Sequence, residues 1–203
     1  METLKRKIFD VLTGKITVSE FENWLYNCEE ILENLDSNSF YFDVIEVNYK
    51  SNKWKQLLTN IFKEYISEEQ IEVFRIENIC EKIISSKTFD ETHLILKEEF
   101  NGFNFDTNFS ILWKLYFLYD IFDLVKEGFE QEGELEAEAK FYAEETLNIF
   151  EKSDDFEILK IMLEQELPSF KPIKIESKKV IKPIIKPKKI TLKQKILAFF
   201  KKS

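Results

Sequence analysis

The sequence predicts an all-α protein: a compact multi-helix bundle around one buried helix, then a basic linker and a short amphipathic helix. Three observations predict it. Apolar residues recur at helical spacing through residues 1–168. Four Gly and four Pro among 203 residues leave little material for tight hairpins. The stretch Thr107 to Val125, TNFSILWKLYFLYDIFDLV, is apolar around the whole helical wheel, which a soluble helix tolerates when other helices enclose it. Lys114, Asp120 and Asp123 interrupt that stretch. Each would cost roughly 2.5–3.5 kcal/mol at a bilayer centre, so core is expected rather than membrane span.

The elements follow in order. Leu4, Ile8, Val11 and Leu12 mark a first short helix that Thr13-Gly14 stops. Thr17-Val18-Ser19-Glu20 is a capping box that opens a helix carrying Phe21, Trp24, Leu25, Cys28, Ile31, Leu32 and Leu35, ended by Asp36-Ser37-Asn38-Ser39. Within Phe40 to Tyr49, alternation of Tyr41, Ile45, Val47 and Tyr49 competes with helical spacing of Phe40, Val44 and Val47; helix is the expectation. Trp54, Leu57, Leu58, Ile61, Phe62 and Tyr65 form the next helix. Capping boxes at Ser67 to Gln70 and Thr88 to Glu91 open two more, the second closed by Asn101-Gly102. The Thr17 and Ser67 segments resemble each other at an offset of 66 − 16 = 50 residues, but two capped amphipathic helices do so without any duplication.

The central helix ends at Gly128, and the run EQEGELEAEAK then leads into Phe141, Tyr142, Leu147, Ile149 and Phe150. Ser153-Asp154-Asp155 caps a last body helix bearing Phe156, Leu159, Met162, Leu163 and Leu167, which Pro168 terminates. Residues 169–190 read as a basic Pro/Lys/Ile linker, and residues 191–203 as a basic amphipathic helix.

Charge is divided unevenly. From Lys171 onward the chain carries 12 Lys and one acid, +11, so residues 1–170 carry 17 − 37 = −20. A body this acidic repels nucleic acid and anionic lipid and attracts a basic protein, with steering that salt weakens. The solvated run Glu130, Glu132, Glu134, Glu136 and Glu138 is the candidate partner-binding surface. In the tail, Leu192, Ile196, Phe199 and Phe200 form one apolar stripe flanked by Lys193, Lys195, Lys201 and Lys202. That pattern suits an anionic membrane surface, a groove in a partner, or the acidic body itself.

No catalytic motif, cofactor site or metal site is read from the sequence. His93 is the only histidine, so counting is read against Ser-His-Asp, Cys-His and multi-histidine metal sites alike, and His93 is expected to be a partly exposed helix residue. Phosphate-binding glycine loops are missing as well. Carboxylates are numerous enough that a two-carboxylate hydrolase or an all-oxygen metal site stays open, and such an enzyme would bind magnesium or manganese. Cys28 and Cys80 form no CxxC pair and no disulfide framework, which fits a reducing compartment. The opening METLKRKIFDVLTG has no signal-peptide apolar run, so a cytoplasmic location is expected.

Ile16-Thr17-Val18-Ser19-Glu20-Phe21-Glu22-Asn23-Trp24-Leu25-Tyr26, with Phe40-Tyr41-Phe42-Asp43-Val44-Ile45 and Asn48-Tyr49-Lys50, resembles the opening of small helical immunity-type proteins from bacterial polymorphic and contact-dependent toxin systems. The resemblance covers the first third of the chain. It implies a non-enzymatic bacterial antitoxin that occludes a toxin by direct binding, commonly acidic surface against basic nuclease. The basic tail lies outside that pattern and leaves a peripheral membrane adaptor as the rival reading.

Overall fold

A computed structural model describes residues 2–101, 106–130 and 132–171. The chain divides into two units between Phe170 and Lys171, and the tail residues Leu192 to Lys202 lie outside the described residues. Among the described residues there are ten α-helices and no strand. They are α1 (Glu2–Thr13), α2 (Val18–Leu25), α3 (Glu29–Glu33), α4 (Ser39–Ile45), α5 (Trp54–Tyr65), α6 (Glu68–Ser85), α7 (Phe89–Phe100), α8 (Ser110–Lys126), α9 (Leu135–Phe150) and α10 (Phe156–Glu164).

Local chemistry sets most of the boundaries. Thr17 Oγ1 accepts the Glu20 N–H while Glu20 Oε2 accepts the Thr17 N–H at 2.7 Å, completing the box at the start of α2. At α6 only half the expected box forms. Ser67 Oγ accepts the Gln70 N–H, but Gln70 Oε1 turns to Lys5 Nζ, 3.3 Å away. At α7, Thr88 Oγ1 accepts the Glu91 N–H, and Glu91 reaches back to the Lys87 N–H instead. Asn38 and Asp155 cap α4 and α10. The Phe40 segment is helical through Ile45 and then turns.

Three expectations are corrected. The helix predicted from Thr17 to Leu35 breaks into α2 and α3: Cys28 is extended, the Asn27 side-chain amide donates to the Asn23 carbonyl at 2.7 Å, and Leu25 and Ile31 on either side of the break both enter the interior. The last body helix stops at Glu164, short of Leu167 and Pro168. The third correction concerns what occupies the centre.

Two hydrophobic clusters form the interior. The first gathers α1 to α5, with Phe21, Leu25, Ile31, Phe40, Val44, Tyr49 and Leu58 buried. The second gathers α7 to α10, with Leu96, Leu112, Leu115, Phe122, Ala139 and Ala143 buried. Helix α6 contributes to both: Phe74 packs in the first cluster, while Val73, Ile76, Ile79, Cys80 and Ile83 pack in the second. Its interface with α9 is the most extensive between any two helices. The element that joins the core is therefore α6, whereas α8 leaves one apolar face in solvent.

Candidate partner-binding surface

Helix α8 buries Leu112, Leu115, Leu118 and Phe122 against its neighbours. Phe89 stacks on Phe122 with ring centroids 4.5 Å apart, and Phe100 meets Tyr116 edge-on at 6.1 Å. The opposite side is open. Phe117 is 58% exposed, Ile121 38% and Leu124 40%, at helical spacings that put them on one stripe. Half-buried Trp113, whose Nε1–H donates to the Thr107 carbonyl, extends the stripe through ring contact with Phe117 at 6.2 Å.

The end of α8 adds a further apolar residue. Gly128 takes φ +81° just past the helix, its N–H bonded to the Val125 carbonyl, while the Phe129 N–H bonds to the Leu124 carbonyl at 2.9 Å. This paired closure is a Schellman motif, which ties the residue after the glycine to the last turn. It holds Phe129, 74% exposed, at the end of the stripe. A side chain other than glycine at 128 would be strained by that φ.

Acids border the stripe. Asp120 is exposed on it, and burial together with neighbouring Asp123 raises its carboxyl above the usual range. Asp123 is held intramolecularly: burial alone would raise it, but hydrogen bonds from His93, with Nε2 to Oδ1 at 2.6 Å, and from Tyr119 outweigh that and lower it. His93 also lies parallel to the Phe122 ring at 6.2 Å, so it is a half-buried packing residue tied to one carboxylate. On the other edge, Lys114 Nζ sits 5.7 Å from the Tyr142 ring centre.

Beyond Phe129 come the acids singled out in the sequence. Glu130, Glu132 and Glu134 are exposed in the loop, whereas Glu136 and Glu138 are half-buried on α9. Successive alternate residues point apart on a helix, so Glu134 and Glu138 share a face and Glu136 turns away to pair with Lys140 at 2.7 Å. Glu130, Glu132 and Glu134 thus follow Phe129 in the chain, Glu132 and Glu134 line one shallow recess with Glu136 and Lys140, and Glu136 is the member that is paired. Among the described residues, Glu130, Glu132, Glu134 and Glu138 have no ion pair.

Several cations of the body are already paired, so they do not offset its excess of acids. Arg6 and Lys15 pair with Glu77 and Glu81 on α6, Arg75 and Lys82 both bond Glu99, Lys126 bonds Asp90, and Lys160 bonds Glu69. A second acidic recess of ≈ 540 Å³, lined by Glu145, Glu151, Lys152 and Glu166 among others, lies beside the ends of α9 and α10. No group of three or more His, Cys, Asp or Glu side chains is placed to hold a metal ion among the described residues. Nor is any helix among them long and apolar enough to cross a membrane.

The apolar stripe is the feature that the sequence reading missed. Its signal was Asp120 lying between Phe117, Ile121 and Leu124, an acid in the middle of one apolar face. Among the residues carrying the resemblance to immunity proteins, Phe21, Leu25, Phe40, Tyr41, Val44 and Tyr49 are buried in the first cluster, where Phe21 touches Tyr49 edge-on at 5.6 Å and half-buried Trp24 at 6.1 Å. They report on how the first cluster packs.

No family model matches the chain, and neither does any curated protein or solved structure.

Proposed function

We propose that this chain is a non-enzymatic protein-binding protein, an immunity or inhibitor protein whose acidic surface neutralises a basic toxin or effector. The observation that supports it is that exposed Phe117, Ile121, Leu124 and Phe129 are followed directly in the chain by exposed Glu130, Glu132 and Glu134. Exposed aromatics supply the desolvated centre that carries most binding energy in protein interfaces. Carboxylates at the edge steer a cationic partner and reject an anionic one. Solubility alone would account for the acids, but it gives no reason to hold Phe129 in water.

The test is capture from lysate of the producing cells on the immobilised full chain, at low and high salt, beside an E130Q/E132Q/E134Q variant. A basic protein that binds the native chain, is released by salt and binds the variant at least about tenfold more weakly supports the reading. Expression of that protein should then arrest growth, and co-expression of this chain should restore it. A captured partner that is acidic, or that binds the variant equally, sinks the proposal.

A further inference from the structure

We infer that the stripe on α8 is the docking face for a single amphipathic basic helix of the partner. The inference rests on the reading just proposed and specifies what the partner presents.

The stripe runs from Phe117 along α8 to its end at Lys126, about 9 residues or ~14 Å at helical rise, with Phe129 tied back to the last turn. It is one exposed helical ridge, and the surface that matches such a ridge along its length is another helix with apolar residues at i, i+3 or i+4, and i+7. A partner helix of three to four turns (roughly 5.4 Å per turn) covers it end to end. Charge is graded along it. Lys114 lies near the start, Asp120 and Glu127 come further on, and Glu130, Glu132 and Glu134 follow past the end. The partner helix therefore carries Lys or Arg beside its apolar seam, concentrated towards the end that meets the loop.

Three other occupants fit less well. A second copy laid across the stripe would bring together two bodies of net charge −20, with Asp120 and Glu127 meeting like charges. An anionic bilayer meets the same repulsion. An extended basic segment would satisfy the acids and leave Phe117 and Leu124 in water.

The test uses the full chain and two fluorescent synthetic peptides of identical Lys/Leu/Phe composition. One places its apolar residues on a single helical face, and the other scatters them around the wheel. Binding is read by fluorescence anisotropy at low salt. The inference expects the ordered peptide to bind at least about tenfold tighter than the scattered one. F117S/L124S should remove that preference, and E130Q/E132Q/E134Q should weaken both peptides alike, with circular dichroism confirming that each variant is folded.

Equal affinity for both peptides would overturn the helix while leaving the acidic surface as the binding determinant. Failure of both peptides to bind would overturn this inference and the proposed function together. Self-association of the full chain that F117S/L124S abolishes would assign the stripe to a second copy. A tenfold gain in ordered-peptide affinity in an F199S/F200S chain would assign it to this chain's own basic segment. Either result overturns the partner helix.

Discussion

Phe117 and Phe122 lie five residues apart on α8, and the structure gives them opposite fates. Phe122 is fully buried between Phe89 and His93, whereas Phe117 is 58% exposed. Truncating a buried Phe loses its transfer free energy and leaves a cavity, together about 3–5 kcal/mol. The stacked contact with Phe89 adds about 0.5–1.5 kcal/mol of ring geometry, so Phe122→Ala belongs towards the upper end of that range. Full burial of a Phe is worth about 1.5–3 kcal/mol, and Phe117 realises less than half of it, which limits Phe117→Ala to about 1 kcal/mol or less. Against a total stability of roughly 5–15 kcal/mol, the first change shifts the urea midpoint far down and the second leaves it nearly in place. The assay is urea unfolding followed by tryptophan fluorescence and far-ultraviolet dichroism, with equal slopes required before the two values are compared. Comparable losses at both positions would show that α8 is enclosed on all sides and that the exposed stripe does not exist.

Other outcomes follow from local environments. Cys80 is fully buried, and burial pushes its thiol up to about 12 against a hydrogen bond from Thr146, while Cys28 is half-exposed. Iodoacetamide at neutral pH should therefore label one thiol in the native chain and a second only after unfolding; rapid labelling of both would contradict the packing of α6 on α9. Tyr41 is pushed up to about 12 from 10.0, first by burial and then by its hydrogen bond to Glu30, and burial drives Tyr49 up as well. A raised pKa in the folded chain means that the Tyr41 hydroxyl stabilises it fully below pH 10 and loses that contribution as pH rises through about 12, with Tyr49 following in the same direction. Absorbance at alkaline pH should show the late tyrosines ionising together with unfolding, and normal titration of all seven in a folded chain would refute this. Thr17→Ala removes one half of the completed capping box and should cost about 0.5–2 kcal/mol by the same urea assay, while Thr59→Ala, on an exposed turn of α5, should cost less than about 0.5 kcal/mol.

Helix starts were legible in the sequence because a cap is a local device: Thr17, Ser67, Thr88 and Asp155 each bond a backbone N–H three residues on. Helix breaks without glycine or proline were not. Nothing in Asn27-Cys28 forbids continued helix, and the break appears where Ile31 and Leu25 both enter the first cluster. The environment of α8 was illegible for a different reason. A helix apolar on every side is consistent with enclosure by its own chain or with a face kept for another molecule, and periodicity is identical in the two cases. The glutamate run was read as one surface because it alternates in sequence. Passing from loop into helix at Leu135 changes which of its members are neighbours, and that transition lies in tertiary anchoring rather than in the acids themselves.

Helix α6 places both hydrophobic clusters on one piece of backbone. The amides along its middle turns are released to solvent only when the packing on both sides has opened, so they should be among the last in the chain to exchange with deuterium. Neither cluster can be lifted out intact: a cut before Glu68 strips Phe74 from the first, and a cut after Ser85 strips Ile76, Ile79 and Ile83 from the second. A disturbance of α7 to α10 therefore reaches α1 to α5 in part through this shared helix, whose stiffness bears on whether the two halves respond as one.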